Sequence, residues 1–169
     1  NPRDIIAARR QKSLSYPRCM LCVENEGYAG RISYPARAVH RMIRLELAGE
    51  PWYFQYSPYS YYREHCIILA EKHQPMQINR RTFTRLIEFI DKFPHYFIGS
   101  NADLPIVGGS ILNHDHYQGG RFEFAMNRAG LDYEFALPGY HNIKCGLVRW
   151  PMSTIRLESA NKYELVAAA

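Results

Sequence analysis

His114, His116 and Gln118 alternate along the stretch 108–120, which reads Gly-Gly-Ser-Ile-Leu-Asn-His-Asp-His-Tyr-Gln-Gly-Gly. Near neutral pH an imidazole can be a nucleophile, a base or a metal ligand. A carboxamide donates and accepts hydrogen bonds without carrying a charge. Alternate residues of an extended strand face the same way. The spacing therefore predicts that these three side chains line one face, with Asp115 and Tyr117 pointing away. One strand histidine is commonly a surface residue or a satisfied core residue. Two in register with a glutamine suit a phosphate or a metal better than a hydrophobic core. The flanking pairs, Gly108-Gly109 and Gly119-Gly120, are expected to let backbone N–H groups approach a ligand closely.

A second set lies far away in the chain. Cys19-x-x-Cys22 places two thiolates on one knuckle, half of what a tetrahedral zinc site needs. No second C-x-x-C exists, so the other ligands must come from elsewhere in the chain, and histidines are the candidates. His73 follows an apolar run directly and is one candidate; His114 is the other. A Cys2His2 site from Cys19, Cys22, His73 and His114 would tie the knuckle to the histidine strand. The competing readings are a redox pair or two idle thiols. A redox pair normally opens a helix after a strand, and Pro17 with the Asn25-Glu26-Gly27 turn argues against that. Cys66 and Cys145 sit in apolar strands, where packing is the ordinary role of a cysteine.

The elements that must position these groups read as several short strands and one clear helix. Val39 to Leu47 has strand composition, Gly49-Glu50-Pro51 breaks it, and Trp52 to Tyr56 resumes it, as in a hairpin. His65 to Ala70 is a compact apolar strand. Asn79 can cap a helix reaching about Phe93, because Phe83, Leu86, Ile87, Ile90 and Phe93 fall at helical spacing and Pro94 closes it. Tyr96 to Gly99, the histidine strand, Tyr133 to Ala136 and Ile143 to Trp150 supply further strands. Residues 1–16 read as a polar, basic helix or arm, and Asn161 to Ala169 as the first turns of a helix. The fold expected is α+β, mostly antiparallel, with a packed amphipathic helix.

Length, charge and composition bound the rest. The chain has 169 residues, 47% of them hydrophobic, enough for one domain, 1–169, with a sizeable core. No apolar run is long enough for a transmembrane helix. The net charge of +5 could attract nucleic acid or a phosphorylated small molecule. The basic residues are scattered, without a stripe interleaved with aromatics, so the small molecule is preferred and neither nucleic acid nor membrane is expected. The start, Asn1-Pro2-Arg3-Asp4, has no initiator Met and no signal peptide, as expected for a fragment. Without a secretory segment the cysteines read as reduced and the chain as cytoplasmic.

Gly108-Gly109-Ser110-Ile111-Leu112-Asn113-His114-Asp115-His116-Tyr117-Gln118-Gly119-Gly120 resembles the active-site segment of class II galactose-1-phosphate uridylyltransferases, a branch of the histidine-triad (HIT) superfamily. Pro17 to Gly30, Gln55 to Tyr59, Phe93 to Pro105 and Trp150 to Ser153 resemble the same family, so the likeness covers nearly the whole chain. Family members are considerably longer. The resemblance implies a HIT-like fold and transfer of UMP from UDP-glucose to galactose 1-phosphate through a covalent uridylyl-histidine. UDP-glucose or UDP-galactose and hexose 1-phosphates would be the small-molecule partners. His116 would be the nucleophile, its second nitrogen held protonated by a backbone carbonyl. Gln118 would serve the phosphoryl oxygens, as an amide with no proton to shuttle to water.

It also implies Zn2+ as a structural cofactor on Cys19, Cys22, His73 and His114, and a homodimer. Gly108, Gly109 and Ser110 would supply donors to the phosphates. Asn101 would touch a phosphate or hold an Asx turn, and Asn25, Tyr28 and Arg31 would form part of the uridine pocket. His40, His65, His95 and His141 have no partner nameable from sequence and read as packing or surface residues. The alternatives are a dinucleoside-tetraphosphate phosphorylase type of nucleotidyltransferase, which shares H-x-H-x-Q, and a non-catalytic zinc-stabilised module.

Overall fold

The computed structural model describes residues 15–107 and 110–169. A five-stranded antiparallel sheet carries the site. Its strands are β1 (Ile43–Leu47), β2 (Glu50–Tyr56), β3 (Cys66–Ala70), β4 (Phe97–Ser100) and β5 (His116–Gly120), in the spatial order β1-β2-β3-β5-β4. Helix α1 (Arg80–Lys92) crosses one face of it. A second sheet of three antiparallel strands follows, β6 (Leu131–Phe135), β7 (Lys144–Val148) and β8 (Ile155–Glu158). Two short helices, α2 (Ala125–Arg128) and α3 (Lys162–Ala168), complete the described chain. Lys162 of α3 pairs with Asp91 of α1. The α+β, mostly antiparallel arrangement is the one expected.

The α1 boundary is set by local chemistry. The Asn79 side chain accepts from Arg81 N, and the Thr82 hydroxyl accepts from Asn79 N, a reciprocal cap. The hairpin between β1 and β2 turns at Ala48 and Gly49, not at residues 49–51. Both have positive φ, 52° and 72°, the backbone of a two-residue turn that matches strand twist. An alanine is tolerated there because α1 holds it. Ala48 N donates to Glu88 Oε2 at 2.6 Å, and Arg81 donates to Ala48 O at 3.0 Å. Pro51 lies inside β2, near its start, where a missing N–H does little harm.

β1 is shorter than expected. Met42 N donates to Glu26 Oε1 and His40 N to Arg37 O, which pulls residues 39–42 toward the knuckle and away from β2. β8 was not foreseen.

Alternation sorts the five-stranded sheet into two faces. Trp52, Phe54, Cys66, Ile68 and Tyr117 form the buried core with Phe89 of α1. Trp52 stacks on Tyr117 with centroids 4.9 Å apart. Gly119 belongs to this face, because a Cβ there would come within 2.9 Å of Phe97 O and 3.2 Å of Cys66 Sγ. Gly119 and Gly120 thus serve strand packing and pairing with β4, instead of the close approach to a ligand expected for them.

Phe89 is fully buried against Phe54, Phe93 and Tyr96. Phe89→Ala is expected to destabilise the full-length protein by about 3–5 kcal/mol, measured by urea unfolding.

Arg85 links this core to the site. It is 5% exposed and lies over the Trp52 ring at 5.0 Å. It donates to Glu50 Oε2 from Nε and Nη2, to Tyr117 Oη at 3.1 Å and to Asp115 Oδ2 at 3.4 Å. Asp115 and Tyr117 therefore point away from the polar face, as the alternation predicts. Burial pushes the Asp115 carboxyl up to about 6 despite the ion pair. The Arg85 contact is long, and Glu50 takes the closer share of the guanidinium.

Candidate active site and metal centre

The opposite face of the sheet carries the chemistry. Across it run Gln55 of β2, Ile67 of β3, Gln118 of β5 and Gly99 of β4, each in register with the next. His116 sits one row along, opposite Leu69. His116, Gln118, Gln55 and Ile67 line a cavity of about 270 Å³ together with Ser110, His65, His40, Arg37, Tyr59 and Met20. Its lining mixes apolar walls with a few convergent polar groups, the usual make-up of a small-molecule site.

His116 is 3% exposed. Its Nδ1 lies 2.8 Å from His114 O. A carbonyl only accepts, so Nδ1 carries the hydrogen and Nε2 carries a lone pair. Burial holds the pKa of His116 below its ordinary 6.5, which favours the neutral ring. Asn101 Nδ2 lies 3.4 Å from His116 Nε2, and Gln118 Nε2 donates to Asn101 Oδ1 at 3.1 Å. The Asn101 side chain is thus turned to the cavity residues and makes no Asx turn.

His114 does not share that face. β5 begins at His116, and His114 lies in the preceding turn. Its ring points back to the knuckle, where the four expected ligands meet. Cys19, Cys22, His73 and His114 offer atoms that all lie within 4.8 Å of one another. Cys19 Sγ and Cys22 Sγ are 3.5 Å apart. Cys19 Sγ is 3.3 Å from His114 Nδ1, and Cys22 Sγ is 3.1 Å from His73 Nδ1 and 3.6 Å from His114 Nδ1. Metal bonds of about 2.3 Å to sulfur and about 2.0–2.1 Å to nitrogen, at tetrahedral angles, require edges of about 3.4–3.8 Å. These four distances lie at or a few tenths of an ångström below the edges required, and the donor set is that of a tetrahedral N/S site.

The shell around the four is also formed. His114 Nε2 donates to Ala70 O at 2.8 Å, which leaves Nδ1 free to ligate. Asn25 is fully buried and donates to Cys19 O at 2.7 Å and Cys22 O at 2.8 Å, while accepting from Tyr34 Oη. Burial lowers the basicity of His73 and His114 and, with Cys19 beside it, pushes the Cys22 thiol up to about 12. Neutral histidines are the form that binds metal, and a bound dication would drive the thiols to thiolates.

The remaining candidates divide. Ser110 lines the cavity, and Gly108 and Gly109 lie outside the described residues. Asn25, Tyr28 and Arg31 are not among the cavity-lining residues. Asn25 organises the knuckle, Tyr28 packs edge-on against Tyr16 and Tyr34, and Arg31 reaches Tyr16 O and Tyr28 Oη. His95 and His141 are exposed. His65 and His40, set aside on sequence, both line the cavity. His65 bonds Gln118, and His40 Nε2 lies 2.6 Å from Gln55 Oε1. Nothing local flags either one; their partners are 53 and 15 positions away.

No helix among the described residues is long and apolar enough to cross a membrane. No solved structure matches the chain. The family profile described as galactose-1-phosphate uridyl transferase, N-terminal domain, matches residues 1–75. A galactose-1-phosphate uridylyltransferase of Clostridium acetobutylicum is 59% identical over all 169 residues, which cover 34% of its own length. Those of Streptococcus mutans and Butyrivibrio fibrisolvens are 57% and 54% identical over the whole chain, which covers 34% and 43% of them. The chain spans about a third to two fifths of the length of these curated relatives. Over its whole length the chain is similar to galactose-1-phosphate uridylyltransferases, at 54–59% identity in these three.

Proposed function

We propose that this chain is the uridylyl-accepting domain of a longer cytoplasmic enzyme that moves UMP from UDP-glucose to galactose 1-phosphate through a uridylyl-His116 intermediate. The observation that carries the reading is the fixed tautomer of His116. Nδ1–H is engaged by His114 O, and Nε2 of the cavity-lining His116 lies 3.4 Å from Asn101 Nδ2. In the first step Nε2 attacks the α-phosphorus of UDP-glucose. The N–P bond forms, the anhydride P–O bond breaks, and glucose 1-phosphate leaves with the electron pair. In the second, a phosphate oxygen of galactose 1-phosphate attacks the same phosphorus, the N–P bond breaks, and UDP-galactose leaves. His116 keeps its Nδ1 proton throughout.

Asn101 Nδ2 and Gln118 Nε2 are carboxamide donors next to the attacking nitrogen. Turned onto the phosphoryl oxygens, they would stabilise charge as it develops. Cys19, Cys22, His73 and His114 would hold Zn2+ as a brace. His114 then supports His116 through its own carbonyl, so the brace sets the nucleophile's position without entering the reaction.

The test is intact-mass analysis of the full-length protein after mixing with UDP-glucose alone. One added uridylyl group is expected, removed again by galactose 1-phosphate. A protein that gains no uridylyl group but releases AMP from diadenosine tetraphosphate would overturn the reading.

A further inference from the structure

One buried side chain at the cavity has no part in that mechanism. His65 precedes β3 and is 4% exposed. Its ring lies against Tyr61 and Tyr62, with centroids 5.1 and 4.7 Å away. Glu64, just before it, has φ 57°, a left-handed conformation that non-glycine residues adopt mainly under tertiary constraint. That turn brings the imidazole to Gln118 on the neighbouring strand.

His65 Nδ1 faces Tyr59 O, and Nε2 lies 3.1 Å from Gln118 Oε1. Both partners as placed are carbonyl oxygens, which only accept, so donation to both takes the imidazolium form of His65, with a hydrogen on each nitrogen. Gln118 Nε2 then donates to Asn101 Oδ1, and Asn101 Nδ2 meets His116 Nε2. Two imidazoles and two carboxamides thus form one unbroken chain, which ends on Tyr59 O and His114 O.

Such a chain has a direction, because a carboxamide donates at one end and accepts at the other. With His65 donating, each amide turns its NH2 toward His116. This direction is the one compatible with an unprotonated His116 Nε2, and it supplies two N–H donors that can pass to phosphoryl oxygens when substrate binds. Were His65 not a donor, Gln118 could turn over. Asn101 would follow, and a carbonyl oxygen would then face both the nucleophile's lone pair and an anionic substrate.

We propose that His65 is a positioning residue that sets the direction of the Gln118–Asn101 carboxamide pair and thereby aims both amides at the phosphoryl group. This deepens the uridylyl-transfer reading above and rests on it.

The test is a double-mutant cycle in the full-length enzyme, read as the rate of glucose 1-phosphate exchange into UDP-glucose. His65→Phe keeps the ring volume and removes both N–H groups. It is expected to slow exchange about 100-fold, the scale of losing one oriented donor, with KM for UDP-glucose changed less than about threefold. In a Gln118→Ala background the same substitution is expected to cost less than about threefold, because its effect runs through Gln118. His65→Gln retains an N–H donor and is expected to recover most of the rate. A full loss on top of Gln118→Ala, or a wild-type rate in His65→Phe, would overturn the proposal.

Should His65→Phe fail to fold, 15N NMR of the histidines in the wild-type protein decides. Two protonated ring nitrogens on His65, with the Nε2 signal shifting in Gln118→Ala, support the proposal, and a bare Nε2 overturns it. A wild-type enzyme that folds yet shows no exchange refutes uridylyl transfer, and the NMR result still judges the orientation of Gln118.

Discussion

His116→Asn in the full-length enzyme is expected to lower UMP transfer by about four orders of magnitude or more, the scale of losing a covalent nucleophile, while leaving the melting temperature nearly unchanged. Asparagine has no lone-pair nitrogen to attack phosphorus, and neither Asn101 nor Gln118 can substitute, since amide nitrogens are not nucleophilic. The measurement is glucose 1-phosphate exchange into UDP-glucose without galactose 1-phosphate, a reaction only a ping-pong enzyme performs. A variant that keeps that exchange would remove His116 from the chemistry.

The wild-type pH profile checks the same assignment. Only the unprotonated Nε2 attacks, so the rate falls as pH drops through the His116 pKa. Burial lowers that pKa from 6.5, and a cation held by His114 would lower it further. The acid limb of the half-reaction is therefore expected below pH 6.5.

Cys22→Ser is expected to release the metal and destabilise the full-length protein by about 4 kcal/mol or more. For a domain of this size that is a fall in melting temperature of about 10 °C. The size follows from what the ligands join. Cys22 and His73 are 51 positions apart, and Cys19 and His114 are 95 apart, so the site closes two long loops onto one point. Metal analysis should find about one zinc per wild-type chain and little in the variant. A chelator should bring the wild-type melting temperature down to that of Cys22→Ser and leave the variant where it is. Cys145→Ser, in β7 away from the knuckle, should keep its metal. A metal-free wild-type protein with an unshifted melting temperature would refute the site.

Much of this molecule was legible before any coordinates. The α1 helix could be read from Asn79 to Phe93 because its cap and its apolar spacing are local signals. The cluster of Cys19, Cys22, His73 and His114 could be named because C-x-x-C sets two of its members on one turn and few histidines follow an apolar strand. Other features were hidden. Arg85 was passed over because a charged residue on a helix ordinarily faces water. Here Glu50 of β2, Tyr117 of β5 and Asp115 just before β5 hold it in a buried position. Asn25 was expected in a uridine pocket on the family resemblance alone; in the fold it donates to the two knuckle carbonyls.

The alternation of His114, His116 and Gln118 shows where local reasoning stops. Residue types and spacing along the chain determined that two imidazoles and a carboxamide lie close together, groups able to bind a metal or serve a phosphoryl group, since chemistry of that kind is carried by side-chain identity. They did not determine that the strand begins only at His116, which turns His114 to the knuckle and leaves its carbonyl to hold the His116 tautomer. Nor did they determine the direction of the Gln118 and Asn101 amides, which depends on His65, 53 positions from Gln118. A hydrogen bond is decided by whichever donor the folded chain brings within about 3 Å. Between distant residues, only the pairing of β5 with β3 and β4 brings those groups together.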